Sequence, residues 1–181
     1  MLKISHFLSI FLLFACTSDD LEFAFEMDYP NQSFEIAAGL NPFVSHFYLI
    51  NDIPTAKGFF FGDFQEEDIT EIAATRAILR SREGISINFG FLEEVSVRIC
   101  TERPISERDA QQKCGREREI FYRDNIPPNI RDEVELLPNS LNVKELLTKE
   151  EFSVLVVLRR MRDFPSTTIN TRFDMRFQAR Q

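Results

Sequence analysis

The chain has 181 residues, with 29 Asp and Glu against 21 Lys and Arg and a formal net charge of −8. This acidic balance argues against a nucleic-acid partner, whose phosphates need a basic footprint, and the length suits one domain with a proper core. Nineteen Phe, three Tyr and no Trp leave few of the flat amphipathic rings on which sugar-binding platforms rely.

The first fifteen residues read as an export signal. Lys3 supplies a short positive start, Phe7 to Ala15 (FLSIFLLFA) is an apolar core, and Ala15 is the small residue before a cut. The run is too short for a membrane-spanning helix, which needs about 20 residues. The next stretch, Leu13-Phe14-Ala15-Cys16, resembles a lipobox, the pattern cut by the signal peptidase of bacterial lipoproteins, although Phe14 is bulkier than the residue usual at its place. That resemblance implies that Cys16 becomes the first mature residue and carries acyl chains on its thiol and amino group. Each buried methylene contributes about 0.8 kcal/mol, so several chains hold a protein on a membrane. Asp19-Asp20 resembles the signal that sends some Gram-negative lipoproteins to the cell surface, which implies a lipid-anchored outer-membrane location. Residues 16–20 then form a short tether, and residues 21–181 a single domain held close to the membrane.

From Leu21 onward the dominant signal is alternation with period two, the mark of half-buried strands. Phe23, Phe25, Met27 and Tyr29 share one face of a first run, which Pro30-Asn31 interrupts. Phe34 to Leu40 and Phe43 to Ile53 read as two further strands. Asp68 to Ile72 reads as a helical turn, with Asp68 and Glu71 as a cap and its reciprocal partner, running into a strand through Ala73, Thr75, Ala77 and Leu79. Gly84 to Phe91 and Glu93 to Thr101 form another pair, with Ile85, Ile87, Phe89, Val95, Val97 and Ile99 facing inward. Glu117 to Arg123 and Asp132 to Leu137 are shorter strands, and Asn142 to Lys149 offers one or two helical turns. Phe152 to Met161 (FSVLVVLRRM) is the most apolar run and reads as a central strand. Ile169 to Gln178 alternates cleanly as the last. The whole predicts a mostly β domain, a two-layer antiparallel β-sandwich with one or two short helices.

Three cysteines in an exported chain leave one over. With Cys16 lipidated, Cys100 and Cys114 remain as a disulfide pair in an oxidising compartment, closing the polar loop TERPISERDAQQK, which is expected to face outward. A bridge over such a loop stabilises by about 3 kcal/mol in the chain-entropy picture.

Catalytic and metal chemistry find no foothold. His46 is the one histidine after the signal, on the strand face that carries Val44, Tyr48 and Ile50, and a lone His on a strand is usually structural. No Ser lies in a G-x-S-x-G turn, no His and Cys stand at zinc spacing, and six glycines form no phosphate loop. Asp63, Glu66, Glu67 and Asp68 form the one dense carboxylate cluster, without the Asp-x-Asp-x-Asp-Gly pattern of a calcium loop. No catalytic residue, metal ligand or cofactor is expected.

One aromatic run stands apart. Phe59, Phe60, Phe61 and Phe64 crowd into six positions. Either they form a core strand buried on both faces, or Phe60 points outward, opposite Phe59 and Phe61, as a contact for a partner, lipid or sugar. Charge is also uneven, with one Lys against twelve acids over residues 16–71 and six Arg against three acids over residues 151–181; both patches read as solvated surface. The function expected from these features is a lipid-anchored, non-enzymatic interaction module that contacts an envelope protein. The alternative is a binder of glycan or a small apolar ligand, with the aromatic run at its mouth.

Overall fold

A computed structural model of the protein describes residues 21–82, 89–130 and 132–181. The export signal, Cys16 and the tether lie outside the described residues, as does the expected strand from Gly84 up to residue 88.

Among the described residues eight antiparallel strands form the domain: β1 (Phe23–Ile36), β2 (His46–Pro54), β3 (Glu71–Ser81), β4 (Leu92–Ile99), β5 (Glu119–Arg123), β6 (Glu133–Pro138), β7 (Glu151–Met161) and β8 (Ile169–Arg180). Their order is β1-β8-β3-β6-β5-β4-β7-β2. The first four strands make one layer and the last four the other. Among the described residues the layers join through a short junction, Phe121 with Pro138 and Tyr122 with Leu137, with the Asn139 N–H donating to Ile120 O at 2.9 Å beside them. The sheet thus bends at a thin seam and comes close to closing on itself, so the expected two layers are present as halves of one sheet. Between them lies the core, with Phe177 at its centre, 5.9 Å from Phe121, 6.3 Å from Phe152 and 5.8 Å from Tyr29 by ring centroid.

Alternation holds along β8 and β4, whereas Phe89–Phe91, expected as the end of a strand, forms a 3₁₀ turn with Phe89 buried. Along β8 every inward residue from Ile169 to Ala179 is buried, and Val95, Val97 and Ile99 of β4 are fully buried. Two irregularities alter the reading of the chain. Pro30-Asn31 does not separate two strands; it forms a bulge within β1, between Tyr29 and Gln32. Because β1 is an edge strand, the N–H that Pro30 lacks has no ladder partner to lose. Asn31 adopts a positive φ of 63°, a conformation Asn tolerates, and its N–H donates to Asp174 Oδ1 at 2.8 Å. A second bulge, between Ala74 and Arg76 of β3, switches the core-facing parity from Ile72 and Ala74 to Ala77 and Leu79. The helical turn expected at Asp68 to Ile72 lies slightly earlier, as a 3₁₀ turn at Glu66–Asp68. There Asp68 accepts the Gln65 N–H at 3.4 Å, and Glu71 begins β3 instead of serving as a cap partner.

Three short α-helices complete the described residues: α1 (Lys57–Phe60), α2 (Glu107–Lys113) and α3 (Lys144–Leu147). The last falls within the expected Asn142 to Lys149. The segment read as a polar loop instead contains α2. Its N-cap Ser106 Oγ accepts the Asp109 N–H at 3.2 Å, and the Asp109 carboxylate accepts the Ile105 N–H at 3.0 Å. Cys100 and Cys114 are disulfide-bonded across it.

Two outcomes test this packing. Burial works to raise the pKa of Asp174, but the Asn31 N–H and the Arg172 and Arg80 guanidiniums outweigh it and hold the carboxyl below its ordinary value. Asp174→Ala is therefore expected to cost about 1–3 kcal/mol at neutral pH. Because the folded-state pKa is the lower one, that contribution is complete above the ordinary carboxylate value of about 4 and is lost as pH falls through the folded value. Urea unfolding should show the gap between variant and wild type narrowing on acidification. Replacing both Cys100 and Cys114 by Ser should lower stability by about 3 kcal/mol, with amide exchange accelerated first in α2.

Candidate functional site

The strand register gives the domain two distinct ends. Phe23 pairs with Arg180, which pairs with Glu71, so the chain enters beside the start of β3 and the end of β8. The Val143 N–H donates to Ile72 O at 2.8 Å, and α3 then leads into β7, which puts the start of β7 at this same end. Pro54 pairs with Glu151 and Ile99 with Val154, bringing the end of β2 and Cys100 there too. The loop closed by the disulfide thus opens at the entry end, rather than on the side away from it.

The entry end is held by specific contacts. Arg103 forms a two-pronged pair with Asp52, Nη2 to Oδ2 at 2.8 Å, and the Arg103 side-chain hydrogen bond holds the Asp52 carboxyl below its usual pKa range. Asn51 Nδ2 donates to Pro104 O at 3.1 Å and Lys149 Nζ to Thr101 O at 3.0 Å. From this anchorage α2 lies over the outer face of the second layer. There Ala110, Cys100 and Cys114 pack with Leu155 and Val157 of β7, flanked by Phe47 and Leu49 of β2.

The aromatic run also belongs to this end, and both expectations for it need correction. It forms no strand; α1 carries Phe59 and Phe60, Phe61 caps it and Phe64 follows in a turn, and Phe59 rather than Phe60 points to solvent, at 81% exposure. Phe60 is half-buried 6.0 Å from Tyr29, and Phe61 is buried 5.1 Å from Phe25, with Phe64 5.4 Å from the same ring. The physical reason is the gap in the sheet. β1 and β2 are its two edges, and the slot between them is filled by side chains, with Phe34 and Tyr48 4.7 Å apart further along. The Tyr48 phenol, desolvated there and facing the Glu107 charge, has its pKa pushed up to about 12. Three of the four Phe rings thus close the domain instead of framing a mouth.

At the far end the loop between β1 and β2 meets the loop between β7 and β8. The Gly39 N–H donates to Pro165 O at 2.9 Å, and the Ala38 N–H to Thr168 Oγ1 at 3.3 Å. Arg162 ties neighbouring segments to this end: its guanidinium donates to the carbonyls of Gly90, Leu92 and Ile126. On these two loops Phe43 is 93% exposed, Val44 48% and Phe164 56%. Phe43 was expected inside a strand, but Asn41 Oδ1 accepts the Phe43 N–H at 3.0 Å in a turn, and β2 starts three residues later.

The remaining candidates do not converge. His46 is half-buried with Nε2 2.8 Å from Asn41 O, a backbone partner. Among the described residues no group of three His, Cys, Asp or Glu side chains could hold a metal ion, and the acidic cluster at Asp63 to Asp68 spends Asp68 on its own turn. Sequence reasoning missed α2, the exposed far-end loops, and the burial of Arg98 on the outer face of β4. The Ser106-x-x-Asp109 spacing could have found the first, and the two-sided apolar character of β7 implied a cover over its neighbours. No protein-family model and no curated protein matches the chain.

Proposed function

We propose that this chain is a lipid-anchored envelope protein that works as a non-enzymatic interaction module. In this reading Cys16 carries acyl chains in the outer membrane and the domain docks an envelope protein, on the cell surface, through its far end. The observation that carries the reading is the exposure of Phe43 and Val44 on one loop and of Phe164 on the loop hydrogen-bonded to it, opposite the end where the chain enters. Exposed aromatic side chains on a rigid support are what a protein interface uses, because large rings bury much area at small cost in side-chain entropy. A short tether turns the entry end toward the membrane and presents the far end outward.

Two measurements test it. The intact mass of the mature protein should start at Cys16 with acyl additions, and Cys16→Ser should abolish partition into detergent; an uncleaved N-terminus or an unmodified Cys16 removes the anchor. Cross-linking in intact cells should yield one recurrent protein partner, lost in the double variant Phe43→Ser and Phe164→Ser. That variant removes only exposed rings, so its stability should stay within about 0.5 kcal/mol of wild type. A partner retained by this variant would overturn the far-end interface.

A further inference from the structure

The two layers treat their outward arginines differently. On the first, Arg76, Arg80, Arg172 and Arg176 line β3 and β8, and each is held by a carboxylate: Arg76 by Glu135 at 3.3 Å, Arg80 and Arg172 by Asp174 at 2.8 and 3.0 Å, and Arg176 by Asp28 at 2.7 Å. These guanidiniums are satisfied, and the groove among them needs no guest.

On the second layer a cavity of about 260 Å³ opens beside α2, lined by Arg98 of β4, Arg159 of β7, Arg116, Gln111 of α2, Phe47 and Val157, with Ser45 at its edge. Arg98 is only 6% exposed. Its Nε is buried without a hydrogen-bond partner, as is the Nε of Arg159. Arg159 has one carboxylate, Glu119, on its Nη2. Among the described residues neither Arg98 nor Arg116 has an ion-pair partner, although the charges of Glu117 and Glu119 reach Arg98. Three guanidiniums therefore face two carboxylates, a local excess of positive charge in a chain whose net charge is −8.

A buried guanidinium cannot escape its desolvation cost by losing its proton, because arginine keeps its charge in proteins. Burial, and then the like charge of Arg159, press the Arg98 value downward, which shows the strain without removing the charge. Such a group needs acceptors, and an oxyanion matches the fork of N–H donors. The cavity lies just below the range of small-molecule sites, about 300–1,000 Å³, and opens to solvent, so it suits a small anion or the charged end of a larger molecule.

We propose that this cavity binds an oxyanion, a phosphate, sulfate or carboxylate group, on the guanidiniums of Arg98 and Arg116. The Gln111 amide supplies a neutral donor, and Val157 and Phe47 form an apolar flank. The disulfide and the cap of α2 hold Gln111 in position, so the site depends on the oxidised protein. It is independent of the far-end interface and of the anchor.

The test is thermal unfolding of the full chain in detergent, titrated with sodium phosphate and separately with sodium acetate at ionic strength held constant by sodium chloride. A ligand that binds only the folded protein raises the midpoint in a saturable way. Wild type should show that rise, with half-saturation weakened about tenfold or more in Arg98→Met and in Arg116→Gln. Arg98→Met replaces an unpartnered buried charge with an apolar side chain of similar length, so without anion it should unfold at or above the wild-type midpoint. Arg116→Gln lies on a surface 3₁₀ turn and keeps the test intact should the first variant fold poorly. Vesicles of phosphatidylglycerol that protect better than free phosphate, with the advantage lost in both variants, would assign the anion to a lipid headgroup; no advantage assigns it to a soluble molecule. Half-saturation unchanged in both variants, or no saturation of wild type by either anion below about 100 mM, would overturn the site.

Discussion

β7 is apolar on both faces, and the outer surface of the second layer is organised around that fact. Val154, Val156 and Leu158 enter the main core, while Leu155 and Val157 face the other way and are still buried. Leaving two such side chains in water would forgo about 1.5–3 kcal/mol each, so something must cover them. A seven-residue helix cannot supply the cover alone, since helices shorter than about 12 residues are marginal in water. The Ser106 cap, the disulfide and the Arg103–Asp52 pair make α2 persist, and its buried Ala110 closes the small outer core. Arg98 is buried as a consequence. It occupies an outward position of β4, beside β7, where an unadorned sandwich would leave it solvated.

The second constraint is the unpaired slot between the edge strands β1 and β2. Edge strands with free N–H and C=O groups invite pairing with other chains, and β1 and β2 approach without a ladder between them. The slot receives rings instead: Phe25 with Phe61 and Phe64, Tyr29 with Phe60, and Phe34 with Tyr48. Tyr29 also gives its hydroxyl proton to Thr55 O at 2.8 Å, satisfying a polar group sunk in the core. Pro30 and the bulge at Asn31 further roughen β1 against intermolecular pairing.

Much of this was legible in the chain. The alternation of Ile169, Thr171, Phe173, Met175 and Phe177 fixes which face of β8 is buried, and the apolar run of β7 marks an interior strand. The Cys100–Cys114 disulfide is the pair that cysteine counting leaves once Cys16 is set aside as the expected site of lipidation. What escaped did so for physical reasons. The parity switch at Thr75 mixes spacings of two and three, which imitates helical periodicity over Ile69 to Ala77. Pro30 reads as a stop unless the strand is known to be an edge, and edge position is a property of the whole sheet. The run from Phe59 to Phe64 has strand composition, yet the slot it fills exists only after β1 and β2 have been placed on opposite layers. Arg98 alternates correctly with Val97 and Ile99, and its burial depends on a helix a dozen residues away in sequence.

These constraints leave the two ends of the domain unlike each other. At the entry end closure is made by apolar side chains, although Phe23 and Phe59 stay exposed there: α1 plugs the slot between β1 and β2, α3 bridges β6 to β7, and the disulfide loop folds back over β7. At the far end closure is achieved by polar means, through the Arg162 guanidinium on three carbonyls and the Gly39 to Pro165 hydrogen bond. That arrangement needs no ring from Phe43 or Phe164, and the cores around Phe177 and Leu155 use neither. Exposed Phe that contributes nothing to folding still carries the solubility cost of an apolar surface. Under the proposed function that cost is offset by a contact at the far end, which the proposed anchor at the opposite end would present outward.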